Sequence, residues 1–272
     1  MSKGKFMNIV LTDKVDTMEN QVSWLNTDSS VSRTEEYRNI ENKIEKDKFS
    51  ADLRVEKGLE LCKSMLFKEA IDAYSEAISL DPFHALAYRH RGHRYLSIRM
   101  YNEAAADFEL SSRLDPTNWD TWYHLGLSYY LLREFDRAEW VYKICHDMTN
   151  TDELFVAIAD WYWMTLMQNG KTETAEKLLS NVSTEMDAGP NTSYYRRLLM
   201  YKSLIDPEEL IQYDGAKLPD LELATQGYGL GFYYLVQGDS KKGKETFQNI
   251  IEKSSLWSAF GYLAAEEELK HL

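Results

Sequence analysis

The chain has 272 residues, and its 44% hydrophobic and 13% aromatic side chains are enough for extensive packing, while five prolines and thirteen glycines are too few for a low-complexity chain. A formal net charge of −13 repels phosphate backbones and argues against general nucleic-acid binding, which needs a basic footprint. Two cysteines, Cys62 and Cys145, support neither a disulfide framework nor a four-ligand zinc site, and both are expected to pack as small apolar residues.

At the start, Lys3 and Lys5 precede a short apolar run from Phe6 to Leu11 that Asn8 interrupts and Asp13 ends. That run is too short and too quickly charged for a signal peptide, and no later stretch approaches a membrane span, so the cytoplasm is the expected compartment. Val15, Met18, Val22 and Leu25 fall at helical spacing and predict a short amphipathic helix within residues 1–32. The sequence Ser32-Arg33-Thr34-Glu35 matches a capping box, opening a highly charged helix over residues 33–50 that would give the first repeat a polar outer face.

Residues 51–152 contain one 34-residue pattern three times in continuous phase. Gly58, Leu61, Ala70, Tyr74, Ala77 and Pro82 recur as Gly92, Tyr95, Ala104, Phe108, Ser111 and Pro116, then as Gly126, Tyr129, Ala138, Tyr142 and Cys145, with Trp122 and Leu125 leading the third copy. Small residues at the eighth and twentieth places let two antiparallel helices approach, and nearby aromatics fill the space between pairs. Asp81-Pro82 and Asp115-Pro116 stop the second helix of a pair, because the residue before proline is pushed out of the α region and proline cannot donate to the preceding turn. A single hairpin cannot cover both its apolar faces, so the units must stack.

The run Trp122, Leu125, Gly126, Tyr129, Ala138, Tyr142 resembles the tetratricopeptide (TPR) repeat pattern W-x-x-L-G-x-x-Y…A…F…P. The resemblance implies an all-α fold, a right-handed superhelix (α-solenoid) of antiparallel helix pairs, with an inner face lined by the first helix of each pair. It also implies a role in holding other proteins, and no chemistry.

Residues 153–186 continue as a fourth, shifted unit, with Trp163 where glycine usually sits, so that residues 51–186 form four repeats. Gly189-Pro190 marks a break, and residues 187–220 are expected to form an irregular helical hairpin with loops. Residues 221–272 restore the pattern with Gly231, Tyr234, Gly238-Asp239 and Phe247, then end in a capping helix carrying Trp257, Phe260 and Leu263. Gly227, Gly229 and Gly231 miss the G-x-G-x-x-G frame and lie in a helical pattern, so close packing is the better account. The layout, with Tyr233-Tyr234-Leu235 before Gly238-Asp239, is also similar to bacterial TPR adaptors of the NlpI lipoprotein kind, which implies cell-envelope proteases and hydrolases as partners; the chain has no lipobox cysteine near its start.

Mapped through the resemblance, the inner wall contains Arg89, His90, His93, Tyr123, His124, Leu127, Tyr130, Trp161 and Met164. This aromatic and partly cationic strip is the expected peptide groove, fitting a protein or peptide partner with apolar anchors and acidic groups. The competing reading is that these side chains pack within the solenoid or against a folded-in terminus. In the family, a chaperone C-terminal carboxylate is held by lysine, asparagine and arginine at places that here hold Val55, Leu59, His90, Asp120 and His124, so that ligand is not expected. His90, His93 and His124 lack an acidic or cysteine fourth ligand and stand beside Arg89, Arg91 and Arg94, which argues against a metal; protonation near pH 6 is the more plausible use of them. No cofactor motif and no catalytic grouping is found. The function expected is a non-catalytic scaffold or adaptor, and the alternative is a ligand-responsive sensor or regulatory subunit hinged at residues 187–192.

Overall fold

A computed structural model describes residues 33–211 and 218–272. The helix expected within residues 1–32 lies outside the described residues.

Helix α1 (Glu35–Lys46) opens the described chain, and four antiparallel pairs follow: α2 (Ala51–Lys63) with α3 (Phe67–Leu80), α4 (Ala85–Ser97) with α5 (Tyr101–Leu114), α6 (Trp119–Leu131) with α7 (Phe135–Asp147), and α8 (Asp152–Gln168) with α9 (Thr172–Ser180). The N-cap of α1 is Thr34, whose hydroxyl accepts from the Tyr37 amide, rather than Ser32. Ser50, Asn118 and Thr151 cap α2, α6 and α8 in the same way, so each of these helices starts where a short polar side chain can meet an unpaired amide. As the Asp-Pro pairs predict, α3 and α5 end at Leu80 and Leu114.

The conserved spacing within each unit has a direct geometric cause. A side chain added to Gly58, Gly92, Gly126 or Gly231 would run into the ring of Tyr74, Phe108, Tyr142 or Phe247, which lies sixteen positions further along in every case. The aromatic of the second helix therefore sits directly over the glycine of the first, and all four rings are buried. In the fourth pair the large residue is on the other helix. Trp163 replaces the glycine, and its ring stacks on Tyr201 at 3.9 Å between centroids, turning the wall of α8 toward the segment that follows.

That segment is a 3-10 turn (Gly189–Asn191) leading into α10 (Thr192–Tyr201) and a single turn, α11 (Pro207–Leu210). The pair α12 (Asp220–Val236) and α13 (Ser240–Lys253) resumes the stack, and α14 (Phe260–Leu269) packs on both. Helix α10 lies against α8 and α12, bridging the fourth pair and the last one. The chain then closes on itself: Arg99, in the turn between α4 and α5, pairs with Glu266 and donates to the Trp257 carbonyl, while Arg133, after α6, pairs with Glu268 at 3.2 Å. The inner side of the curve is thus partly filled by the chain's own C-terminal third.

Candidate functional site

Most of the nine inner-wall residues are not at the surface. Leu127, Trp161 and Met164 have no exposed area, and Tyr123, His124 and Tyr130 are also buried. Tyr130 hydrogen-bonds to the Tyr228 hydroxyl at 2.7 Å, and Trp161 stacks on Tyr228 at 5.7 Å, so α12 occupies the wall that repeats three and four present. For these positions the packing reading describes the structure, because the strip finds its covering inside the same chain. Arg89, His90 and His93 are partly buried.

Beneath this wall lies a fully buried ion pair. Arg197 on α10 approaches the Asp160 carboxylate on α8 at 2.9 Å, with neither side chain exposed. The guanidinium sits 5.7 Å from the ring centres of Trp161 and Tyr228 and 5.4 Å from that of Tyr194, and it also donates to the Thr225 carbonyl at 3.2 Å. Gly229 is required here, since a Cβ would collide with the Arg197 side chain. Burial pushes the Asp160 carboxyl upward, and Arg197 pulls it back down.

The cationic character expected of the groove is not present as free charge. Arg89 is ion-paired with Asp120. Arg94 lies 4.7 Å over the Phe67 ring and contacts His93 Nδ1. The histidines do not titrate near pH 6 as expected: burial, reinforced by Arg89 and Arg94, lowers His90 to about 4 and His124 to about 3, and burial holds His93 well below its ordinary value. They act as neutral aromatic surfaces. His93 lies 4.7 Å from His124, and both contact Phe260 of α14, at 5.5 and 5.4 Å; His90 instead stacks on Tyr74. The three imidazoles do not converge on one point.

Among the described residues, one part of the inner side is left open. A depression of about 710 Å³ lies between the starts of α6 and α8, bounded by Asn191 and Tyr194 from the α10 region and by Phe260 at the start of α14. Tyr123 and His124 are the two predicted residues that line it, joined by Trp119, Asp120, Glu153, Leu154 and Ala157. Trp119 stacks on Tyr123 at 5.1 Å, and the Tyr123 hydroxyl donates to that of Tyr194 at 3.4 Å. The turn at Asp187 to Asn191 is tied to the first turn of α8: the Asp187 amide donates to Asp152 at 3.1 Å, and the Asn191 side chain donates to the Glu153 carbonyl at 3.1 Å. Asp120 was legible from the repeat frame; Tyr194, Asn191 and Phe260 were not, because they reach the depression by long-range packing with no repeat register.

An all-α stack of repeated hairpins with glycine under aromatic is the tetratricopeptide-repeat solenoid, and this is the fold of the chain. Solved structures agree. The crystal structure of YrrB, described as a TPR protein with an unusual peptide-binding site, superposes with a TM-score of 0.52 at 19% identity over 85% of this chain and 98% of that one. The crystal structure of MamA gives a TM-score of 0.50 at 18% identity, covering 62% of this chain and 90% of that one. No protein-family model matches the chain, and no curated protein matches it. Among the described residues, no helix is long and apolar enough to cross a membrane.

Proposed function

We propose that this protein is a non-catalytic TPR scaffold that holds a protein or peptide partner at the open part of its inner wall, the depression between α6, α8 and α14. The observation that carries this reading is a depression bordered by aromatic side chains that no segment among the described residues fills, beside a stretch of the same wall that α12 covers. The half-buried Trp119 and Phe260 offer rigid apolar anchoring at little entropic cost, the property that dominates binding energy at protein interfaces. Leu59 on α2 and Leu86 on α4, the first helices of the first two repeats, are 42% and 45% exposed and would extend the surface. The peptide-binding site attributed to YrrB is a precedent for such use of the fold.

The apolar half of the expected partner chemistry is supported by this lining. The acidic half loses its basis with Arg89 paired to Asp120 and the histidines neutral. The sensor alternative has no observation of its own, since its hinge is pinned to α8 by the Asp187 and Asn191 hydrogen bonds. The proposed compartment is the cytoplasm, where Cys62 and Cys145 would remain free thiols.

A photo-crosslinking amino acid placed at Leu154, in the mouth of the depression, and separately at Trp140, 62% exposed on α7, tests the reading in native cells. Adducts from position 154 that disappear in a Leu154-adjacent blocking variant such as Ala157→Trp are expected. Adducts confined to position 140 would place the partner outside the depression and refute the assignment.

A further inference from the structure

The lining of the open depression has a charge pattern that deepens the groove reading and rests on it. It has no lysine or arginine and two carboxylates, of which Asp120 is already paired with Arg89 and Glu153 is not. Glu153 makes no ion pair among the described residues, and its side chain is exposed at the rim. His124 adds no positive charge, because burial lowers it to about 3. The amides at the starts of α6 and α8 would otherwise favour an anion, but the chain answers them itself: Asn118 accepts from Thr121 at 3.0 Å and Thr151 accepts from Leu154 at 3.3 Å. Behind the rim the wall is aromatic, with Trp119 stacked on Tyr123.

We infer that this depression receives the side chain of an arginine or lysine from the partner, its head beside Glu153 and its stem against the aromatic wall. Three physical terms act in the same direction. A cation over Trp or Tyr is attracted by the ring quadrupole, and a partly desolvated site strengthens that attraction. The methylene stem covers apolar wall while the charged head stays at the rim. A chain of net charge −13 draws a basic segment toward itself over distances longer than the contact. A glutamate in the same place would meet the unpaired Glu153 carboxylate and a neutral imidazole. The volume of about 710 Å³ lies within the roughly 300–1,000 Å³ typical of ligand clefts, so a long side chain and part of its backbone can enter.

The test uses the full chain and three fluorescent peptides, leucine-rich and of equal length, blocked at both ends and differing only in a central pair of arginines, glutamines or glutamates. Binding is read by fluorescence anisotropy at about 50 mM and about 300 mM salt. The arginine peptide is expected to bind roughly five- to tenfold more tightly than the glutamine peptide, with the glutamate peptide weakest. Glu153→Gln should narrow the arginine advantage, higher salt should narrow it too, and Leu154→Trp should weaken all three peptides. Equal affinities that Leu154→Trp abolishes would overturn the inference and leave the groove reading standing. A tighter glutamate peptide, or no binding by any peptide, would overturn the inference alone, the groove being judged by its crosslinks. An arginine preference untouched by Leu154→Trp would place the basic site elsewhere and overturn both.

Discussion

Met65, Arg99 and Arg133 hold the same place in three successive repeats, and each has left-handed backbone, with φ of 57°, 64° and 59°. Gly170 and Gly238 take that place in later pairs, with φ of 68° and 81°. For a residue with a Cβ this conformation costs roughly 1–2 kcal/mol, offset against the 0.5–1 kcal/mol or so that glycine loses in unfolded-chain entropy. Met65 is 44% exposed and has little packing to lose. Met65→Gly should therefore stabilise the chain by about 0.5 kcal/mol, seen as a higher urea midpoint with an unchanged slope. Arg99→Gly should not, because it removes the contacts to Glu266 and the Trp257 carbonyl. The neutral histidines make a second prediction at this scale. The unfolded imidazole takes up a proton near 6.5, whereas His90 in the folded chain does so only near 4. Below pH 6.5 the unfolded state then binds more protons, so stability is full above that pH and falls as pH drops toward 4. His90→Gln should remove about 1 kcal/mol of the stability difference between roughly pH 7.5 and 5.5, measured by urea unfolding at both. An identical pH dependence in the variant would show that His90 is not neutral when folded.

Between elements, the contact that fixes α10 is the Asp160–Arg197 pair, which ties the irregular segment to α8 and, through the Thr225 carbonyl, to α12. Two buried charges contribute little net stability because desolvation cancels much of their attraction, but removing one strands the other. Arg197→Met should cost about 3–5 kcal/mol, and adding Asp160→Asn to it should restore a large part of that loss in a double-mutant cycle by urea unfolding. A single variant as stable as the parent would mean that Asp160 is already neutral. This pair also shows where the sequence stops being readable. Spacing within a hairpin is local, so Gly58 with Tyr74 and Gly92 with Phe108 declare helices, turns and stacking on inspection. An arginine at position 197 and an aspartate at 160 each look solvated in a linear reading, and only a surrounding box of Trp161, Tyr194 and Tyr228 makes them core. The same blindness affected the groove. Tyr130, Trp161 and Met164 lie at inner-wall places by register, yet the register says nothing of α12 arriving over Tyr130 and Trp161 or of Arg197 from α10 against Met164.

Across the whole molecule, closure of the curve depends on contacts as distant in sequence as Arg99 with Glu266, 167 positions apart. They join the turns after α4 and α6 to α14, so the later repeats are not a chain of independent neighbours. Buried side chains from Leu96 to Ala265 form one continuous cluster. A separate one joins Val55, Leu61, Ala70 and Tyr74 of the first repeat to Ala87 at the start of α4. What holds the first repeat to the rest is the Phe67–Trp257 edge contact at 5.5 Å, Arg94 over Phe67, the Tyr74–His90 ring stack at 5.7 Å and the hydrogen bond that Arg91 donates to the Ser75 hydroxyl at 3.0 Å. A repeat array whose units share one core unfolds as a unit, whereas a small satellite cluster opens on its own at lower cost. Amide hydrogen exchange under native conditions should accordingly find α2 and α3 exchanging through a local opening, with protection lower by about 2 kcal/mol or more than in α6, α8 and α12. Phe67→Ala should widen that gap by speeding α2 and α3 and leaving α12 unchanged, because it severs the contact to Trp257, which packs at the margin of the larger cluster, and removes no residue of that cluster. Equal protection throughout would show that the N-terminal repeat is held as firmly as the closed part, and that the two clusters act as one.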